Sequence, residues 1–337
     1  MAISRNMGIS FTDTLTASRI GGFLFYAIII FAAIRMAKFG KRIIAAIALM
    51  PTPLFMAANF SYDPFVIAMA ILAFVVFTLE YFERDKRIRL MNIAIFLAAI
   101  ILAGWTKAVY IPLILVAFLL PEQKFQSKRN MVLFRTGVLV IFFAIMATFV
   151  LPTVINPPTT GDLRGGETSI SGQLHFIIND PIFFARLLLK SMWESLGSYF
   201  LGSSTYVNFA YLGVSNNNCS YFSIIIILFA VFTDAVKDDK YTFKRSSKLF
   251  ILAIIFSVMC LIWTALYLAF TPVGGNQING VQSRYYLPLA IPLLFIVRST
   301  LIETKISAAV LNRIVFAGCT FIALFTVYDY VLKPFNF

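Results

Sequence analysis

Asp63, Lys107 and Arg284 are charged residues set at the edges of long apolar runs. They lie in the stretches NFSYDPF (59–65), GWTKAVYIP (104–112) and GVQSRYYLPLAIPL (280–293). An arginine offers a planar fork suited to bidentate phosphate contacts, and a lysine offers a point charge for the same group. Together, Lys107 and Arg284 would form a cationic pocket for an anionic lipid head group such as a polyprenyl phosphate, with Asp63 as a carboxylate at its mouth. Each residue also has a plainer reading. Asp63 before Pro64 is what a helix start requires, a capping acceptor followed by proline at the first helical position. Lys107 beside Trp105 could snorkel to the interface, and Arg284 beside Tyr285 and Tyr286 could anchor a span end. If the pocket reading holds, the three side chains should face one cavity.

The elements that must position them are membrane helices. Hydrophobic residues make up 60% of the chain and charged ones 13%, and the mean hydropathy is +0.86. These values lie outside the soluble range. The runs are continuously apolar rather than alternating in dyads, which argues against a β-barrel and implies an all-α polytopic membrane protein. About ten spans are expected, at roughly 18–34, 43–59, 64–82, 90–104, 108–121, 131–151, 221–235, 249–270, 285–297 and 314–332. Pro51 and Pro53 should kink the second. The runs flanking GWTK are short for a bilayer core, so Lys107 is expected at membrane depth, where an ammonium signals a site or a buried partner. The organisation follows as an N-terminal bundle over 1–151, a loop section over 152–220, and a C-terminal bundle over 221–337.

The net charge of +13 does not point to nucleic acid, because the basic residues sit in short clusters between alternate apolar runs. Clusters such as Arg84, Lys86, Arg87 and Arg89 mark the cytoplasmic side. Both termini, the 152–220 section and the Arg284 turn are then expected to face outward. An outward N-terminus without a preceding helix means either that a short tail is translocated or, the favoured reading, that a first helix is missing from this chain. Within the loop section, PIFFARLLLKSMWESLGSYF (181–200) reads as an amphipathic helix. Arg186, Lys190, Glu194 and Ser198 form its polar stripe, and it lies either in the interface or tilted against the bundle. The stretch INPPTTGDLRGGETSISG before it reads as an exposed loop.

Other chemistries find no support. His175 is the single histidine, and no phosphate-binding glycine loop or paired Cys/His spacing occurs. Cys219, Cys260 and Cys319 suggest neither a disulfide nor a metal site. No cofactor is expected; a divalent metal is left open.

The stretches LMPTPLFMAANFSYDPFVIAMAILAF (49–74), GWTKAVYIPLILVAFLLP (104–121) and INGVQSRYYLPLAIPLL (278–294), with the weaker YLGVSNNNCSYFSIIIILF (211–229), resemble the bacterial membrane family of domain of unknown function 2142. That resemblance implies a GT-C glycosyltransferase-like fold in the bacterial cytoplasmic membrane. Asp63, Lys107, Gln282, Arg284 and Tyr285 occupy the family's motif positions. The implied activity is inverting transfer of a sugar from a polyprenyl-phosphate carrier to a cell-envelope glycan on the outer face. A carboxylate would deprotonate the acceptor while cations hold the departing phosphate. The chain departs from the pattern in starting after the usual first helix and acidic outer loop, leaving Asp13, in FTDTLTASR, as the surviving acid or as a helix cap. A truncated or inactive member is the corresponding alternative. Two further alternatives are a transporter or flippase for a lipid-linked envelope component and a non-catalytic membrane scaffold.

Overall fold

The computed structural model describes residues 8, 10–209, 217–235, 241–298 and 305–333. Residues 211–216 of the stretch YLGVSNNNCSYFSIIIILF lie outside them. In chain order the helices are α1 (Phe11–Met36), α2 (Lys41–Ala48), α3 (Pro51–Ala57), α4 (Asp63–Phe82), α5 (Leu90–Thr106), a 3₁₀ helix (Ala108–Leu119) and α6 (Lys128–Ile155). Then follow α7 (Ile170–Asn179), α8 (Pro181–Leu201), α9 (Asn217–Asp234), α10 (Arg245–Phe270), α11 (Leu287–Val297) and α12 (Ala308–Val327). No strand occurs among the described residues, so the chain is an all-α, polytopic membrane protein.

Five of the expected spans are helices long and apolar enough to cross a membrane: Phe11–Met36, Asp63–Phe82, Lys128–Ile155, Arg245–Phe270 and Ala308–Leu332. The runs at 90–104, 108–121, 221–235 and 285–297 form shorter apolar helices. The run at 43–59 is not one kinked span. Met50 is extended (ψ 152°) and Pro51 opens a new helix, so the chain breaks into α2 and α3. A proline lacks an N–H and clashes with the preceding turn, and is tolerated best at a helix start. The outward flanks of α1, α6 and α12 present Phe31, Phe143 and Phe316 among other large apolar side chains, as contact with acyl chains requires.

α4 is the axis of the bundle. Its sequence is apolar on every side, which suits a helix surrounded by others, and nearly all of it is buried against α1, α5, α11 and the 3₁₀ helix. Each end of α4 carries one buried acid, Asp63 at the start and Glu80 near the finish.

The 3₁₀ helix runs parallel to α4. Its 12 residues, at about 2.0 Å each, cover about 24 Å, where an α-helix would cover about 18 Å. This stretched geometry lets a short apolar run reach from one end of the bundle to the other. At the far end, Lys124 is fully buried. Its ammonium forms an ion pair with Glu80 Oε2 at 2.9 Å and donates to the carbonyls of Glu83 (2.7 Å) and Lys86 (3.0 Å). Asn92 donates to the other Glu80 oxygen at 2.6 Å. A second clamp at that end joins Arg298 to Asp234 at 2.7 Å, and Gly40 N–H donates to the same carboxylate at 2.8 Å.

α8 begins where Asp180 caps it, accepting from Phe183 N–H at 2.9 Å. Arg186, Lys190, Glu194 and Ser198 are all exposed, so the polar stripe is real. The apolar side, however, is docked on protein. Phe184 stacks on Tyr267 and Met192 lies beside Cys260, so α8 packs along α10 instead of turning that side to acyl chains. Trp193, which is not part of the polar stripe, also points outward, at 76% exposure.

Candidate functional site

The site is built at the shared end of α4, α5, the 3₁₀ helix and α10. Asp63 is the first residue of α4, with Pro64 behind it, and the cap position belongs to Tyr62. Its own N–H donates to the Ser61 hydroxyl at 3.2 Å. The Asp63 carboxylate is therefore spent elsewhere than on capping. Lys107 stands where α5 ends in an extended residue (φ −143°, ψ 96°) before the chain turns into the 3₁₀ helix. Its ammonium reaches Asp63 Oδ1 at 2.5 Å. Arg284 lies in the short turn Ser283–Tyr286 that opens α11, and its Nε is 2.9 Å from Asp63 Oδ2. Both carboxylate oxygens thus face a cation, and the Asp63 and Arg284 side chains are each 9% exposed.

Aromatic side chains fix this arrangement. The Lys107 ammonium lies 4.2 Å from the centre of the Tyr285 ring and 4.9 Å from that of Tyr62, within the range of cation–π attraction. Tyr110, on the 3₁₀ helix, donates to the Tyr285 carbonyl at 2.7 Å. Tyr199, on α8, donates to the Val281 carbonyl at 2.9 Å, and Trp263 donates to the Tyr286 hydroxyl at 2.7 Å. The turn that carries Arg284 is therefore tied to three separate elements. It is entered through Gly280, whose φ of +78° and approach to Phe270 leave no room for a side chain; a Cβ there would stand 2.5 Å from the ring.

Above this cluster is a cavity of about 820 Å³, lined by Asp63, Lys107, Gln282, Arg284 and Tyr285 together with Tyr62, Asp162 and Arg164. Its apolar walls come from α6 (Phe149) and α10 (Ile262, Leu266). Both helices pack on the 3₁₀ helix and make little contact with each other, so the cavity fills the gap between them. The size is that of a small-molecule site. Lys107 and Arg284 share the single negative charge of Asp63, while Arg164 is balanced by Asp162. The five charged lining residues sum to one positive charge, and at the base Asp63, Lys107 and Arg284 are largely withdrawn from water, where an anion beside the cations is favoured.

Five of the residues singled out from sequence therefore meet in one cavity. Asp13 does not join them. It is exposed in the first turn of α1, where its N–H donates to Ser10 Oγ at 3.1 Å and its carboxylate accepts from the same hydroxyl at 2.5 Å. That is a reciprocal helix cap. Sequence reading missed Asp162 and Arg164 as lining residues; the glycines bracketing them in GDLRGG were the available signal. As for metals, no three His, Cys, Asp or Glu side chains gather as ligands among the described residues, and both cavity carboxylates are already held by cations.

Comparison with known proteins gives one match. The family model described as "Predicted membrane protein (DUF2142)" matches residues 1–293. No curated protein and no solved structure matches the chain.

Proposed function

The chain belongs to the membrane family DUF2142, and within it we propose a glycosyltransferase-like role: transfer of a sugar from a polyprenyl-phosphate carrier to a cell-envelope glycan. The observation that carries this reading is the convergence of Lys107 and Arg284 on Asp63 at the base of a half-apolar cavity. An amphiphile with an anionic head and an apolar tail matches both halves of that lining.

In this reading the lipid phosphate competes with Asp63 for the two cations. Arg284 and Lys107 hold the phosphate oxygens by charge-assisted hydrogen bonds. The acceptor hydroxyl oxygen attacks the anomeric carbon. The bond from that carbon to the phosphate oxygen breaks, and its electron pair leaves with the phosphate, whose charge the two cations stabilise. The Asp63 carboxylate, released from its pairs, takes the hydroxyl proton. Gln282 and Tyr285 line the same space and orient the sugar. The site end faces outward because loop cations such as Lys86, Arg87 and Arg89 gather at the other end of α4 and α5, which the positive-inside rule places in a bacterial cytoplasm.

The test is release of free polyprenyl phosphate from a polyprenyl-phosphate-linked hexose by the full chain in liposomes containing an acceptor glycan. Release that depends on acceptor and is abolished by Asp63→Asn is the expected result. Movement of intact lipid between leaflets without release would replace the enzyme reading with the flippase.

A further inference from the structure

We propose that Arg164 is a second anion-recognition residue of the cavity, so that the lipid it takes carries two linked phosphates rather than one. This rests on the lipid-phosphate reading above and narrows it to a class of carrier.

Arg164 belongs to the connection between α6 and α7, which the sequence presents as an open loop. Its placement is nonetheless fixed. Asp162 N–H donates to the Ala269 carbonyl at the end of α10 at 2.7 Å, Gly161 N–H donates to the Thr168 carbonyl at 3.0 Å, and Gly165 N–H returns to the Asp162 carbonyl at 2.9 Å. The approach is too close for side chains. A Cβ at Gly161 would stand 2.5 Å from the Ala269 oxygen, and one at Gly165 would collide with the Phe270 carbonyl. The glycines of GDLRGG thus press the loop onto the rim of the cavity, and Asp162 and Arg164 become part of its lining.

The guanidinium is also oriented. Asp162 receives Arg164 Nε at 2.9 Å and Nη2 at 2.5 Å, and the pair leaves Nη1 outside. Hydrogen bonding from Arg164 holds the Asp162 carboxyl down at about 2. The phenol oxygens of Tyr285 and Tyr62 lie within electrostatic reach of Arg164, and the ring faces of the same two tyrosines flank Lys107. Arg164, Lys107 and both tyrosines line the same cavity. A single phosphate is provided for by Lys107 and Arg284. A further cation on the glycine-clamped rim of the same cavity provides for a second phosphate joined to the first.

The alternative is a solvent-exposed pair of little consequence, as most surface ion pairs are; the Arg164 side chain is 81% exposed. Binding separates the two. The full chain in lipid nanodiscs is titrated with a polyprenyl monophosphate and a polyprenyl diphosphate of equal chain length. The wild type should bind the diphosphate about tenfold more tightly, the worth of one good charge-assisted contact. Arg164→Gln should remove that preference while leaving monophosphate binding unchanged, and Gly161→Ala, which lifts the loop without altering charge, should do the same. Arg284→Gln should weaken both lipids. Equal binding of the two lipids by the wild type, or an Arg164→Gln variant that weakens both alike or neither, overturns the inference and leaves the lipid-phosphate reading standing. Failure of the wild type to bind either lipid overturns both.

Discussion

Lys107 Nζ and Asp63 Oδ1 lie 2.5 Å apart, joining residues separated by 44 positions, and the same separation recurs at the other end of the bundle between Glu80 and Lys124. α4 and the 3₁₀ helix are thus pinned in parallel at head and foot. One pin opens into the cavity. The other is fully enclosed. That contrast fits the proposed binding role for the first and a stabilising role for the second.

Replacing Asp63 by Asn leaves Lys107 and Arg284 as neighbouring, largely buried cations without their shared carboxylate. Removing one member of a buried ionic cluster costs about 3–5 kcal/mol. The variant should unfold at a markedly lower temperature in detergent, and added polyprenyl phosphate should restore part of the loss, because its phosphate supplies the missing negative charge. An unchanged melting temperature would show that the cluster is not a coupled unit.

Lys124→Met strands Glu80 and should cost a similar amount, about 3–5 kcal/mol, with lipid binding unchanged. Adding Glu80→Leu removes the stranded charge, so the double variant should regain part of that stability. Recovery should stop short of wild type because the carbonyls of Glu83 and Lys86, which accept from Lys124, lose their donor. A thermal-unfolding double-mutant cycle gives both values. A double variant less stable than Lys124→Met would contradict the scheme.

The length of the 3₁₀ helix is set by the two pins. Deleting Leu113 and Ile114 shortens it by about 4 Å, so Lys107 and Lys124 can no longer both reach their partners. The deletion should lower the melting temperature at least as far as loss of one pin. A deletion variant as stable as wild type would mean that the extended geometry is incidental.

Much of this architecture was legible in the sequence for a simple reason. Charges are costly in apolar surroundings, so Lys107 and Arg284 stand out wherever they fall, and apolar runs of spanning length need no further decoding. What could not be read was convergence. Nothing in NFSYDPF says that Asp63 serves two cations and not its own helix start, and both uses fit the same residues. The 3₁₀ geometry of Ala108–Leu119 was equally hidden, because a run apolar on every side carries no periodicity to distinguish helix types. Lys124 and Arg298 lie between apolar runs, where cations read as loop charges, yet each is buried in a clamp; local sequence does not reveal a carboxylate that arrives from another helix. Asp162 and Arg164 went unnoticed because a loop rich in glycine reads as mobile until its carbonyl contacts with α10 are seen.

The central claim, that Lys107 and Arg284 together hold a lipid phosphate, is tested most directly by equilibrium binding of a polyprenyl monophosphate to the full chain in nanodiscs, compared across wild type, Lys107→Gln and Arg284→Gln. Each single variant should bind about tenfold more weakly, the scale of one charge-assisted contact, while the same polyprenol without phosphate should bind all three alike. Equal phosphate-lipid affinity across the three proteins would contradict the account.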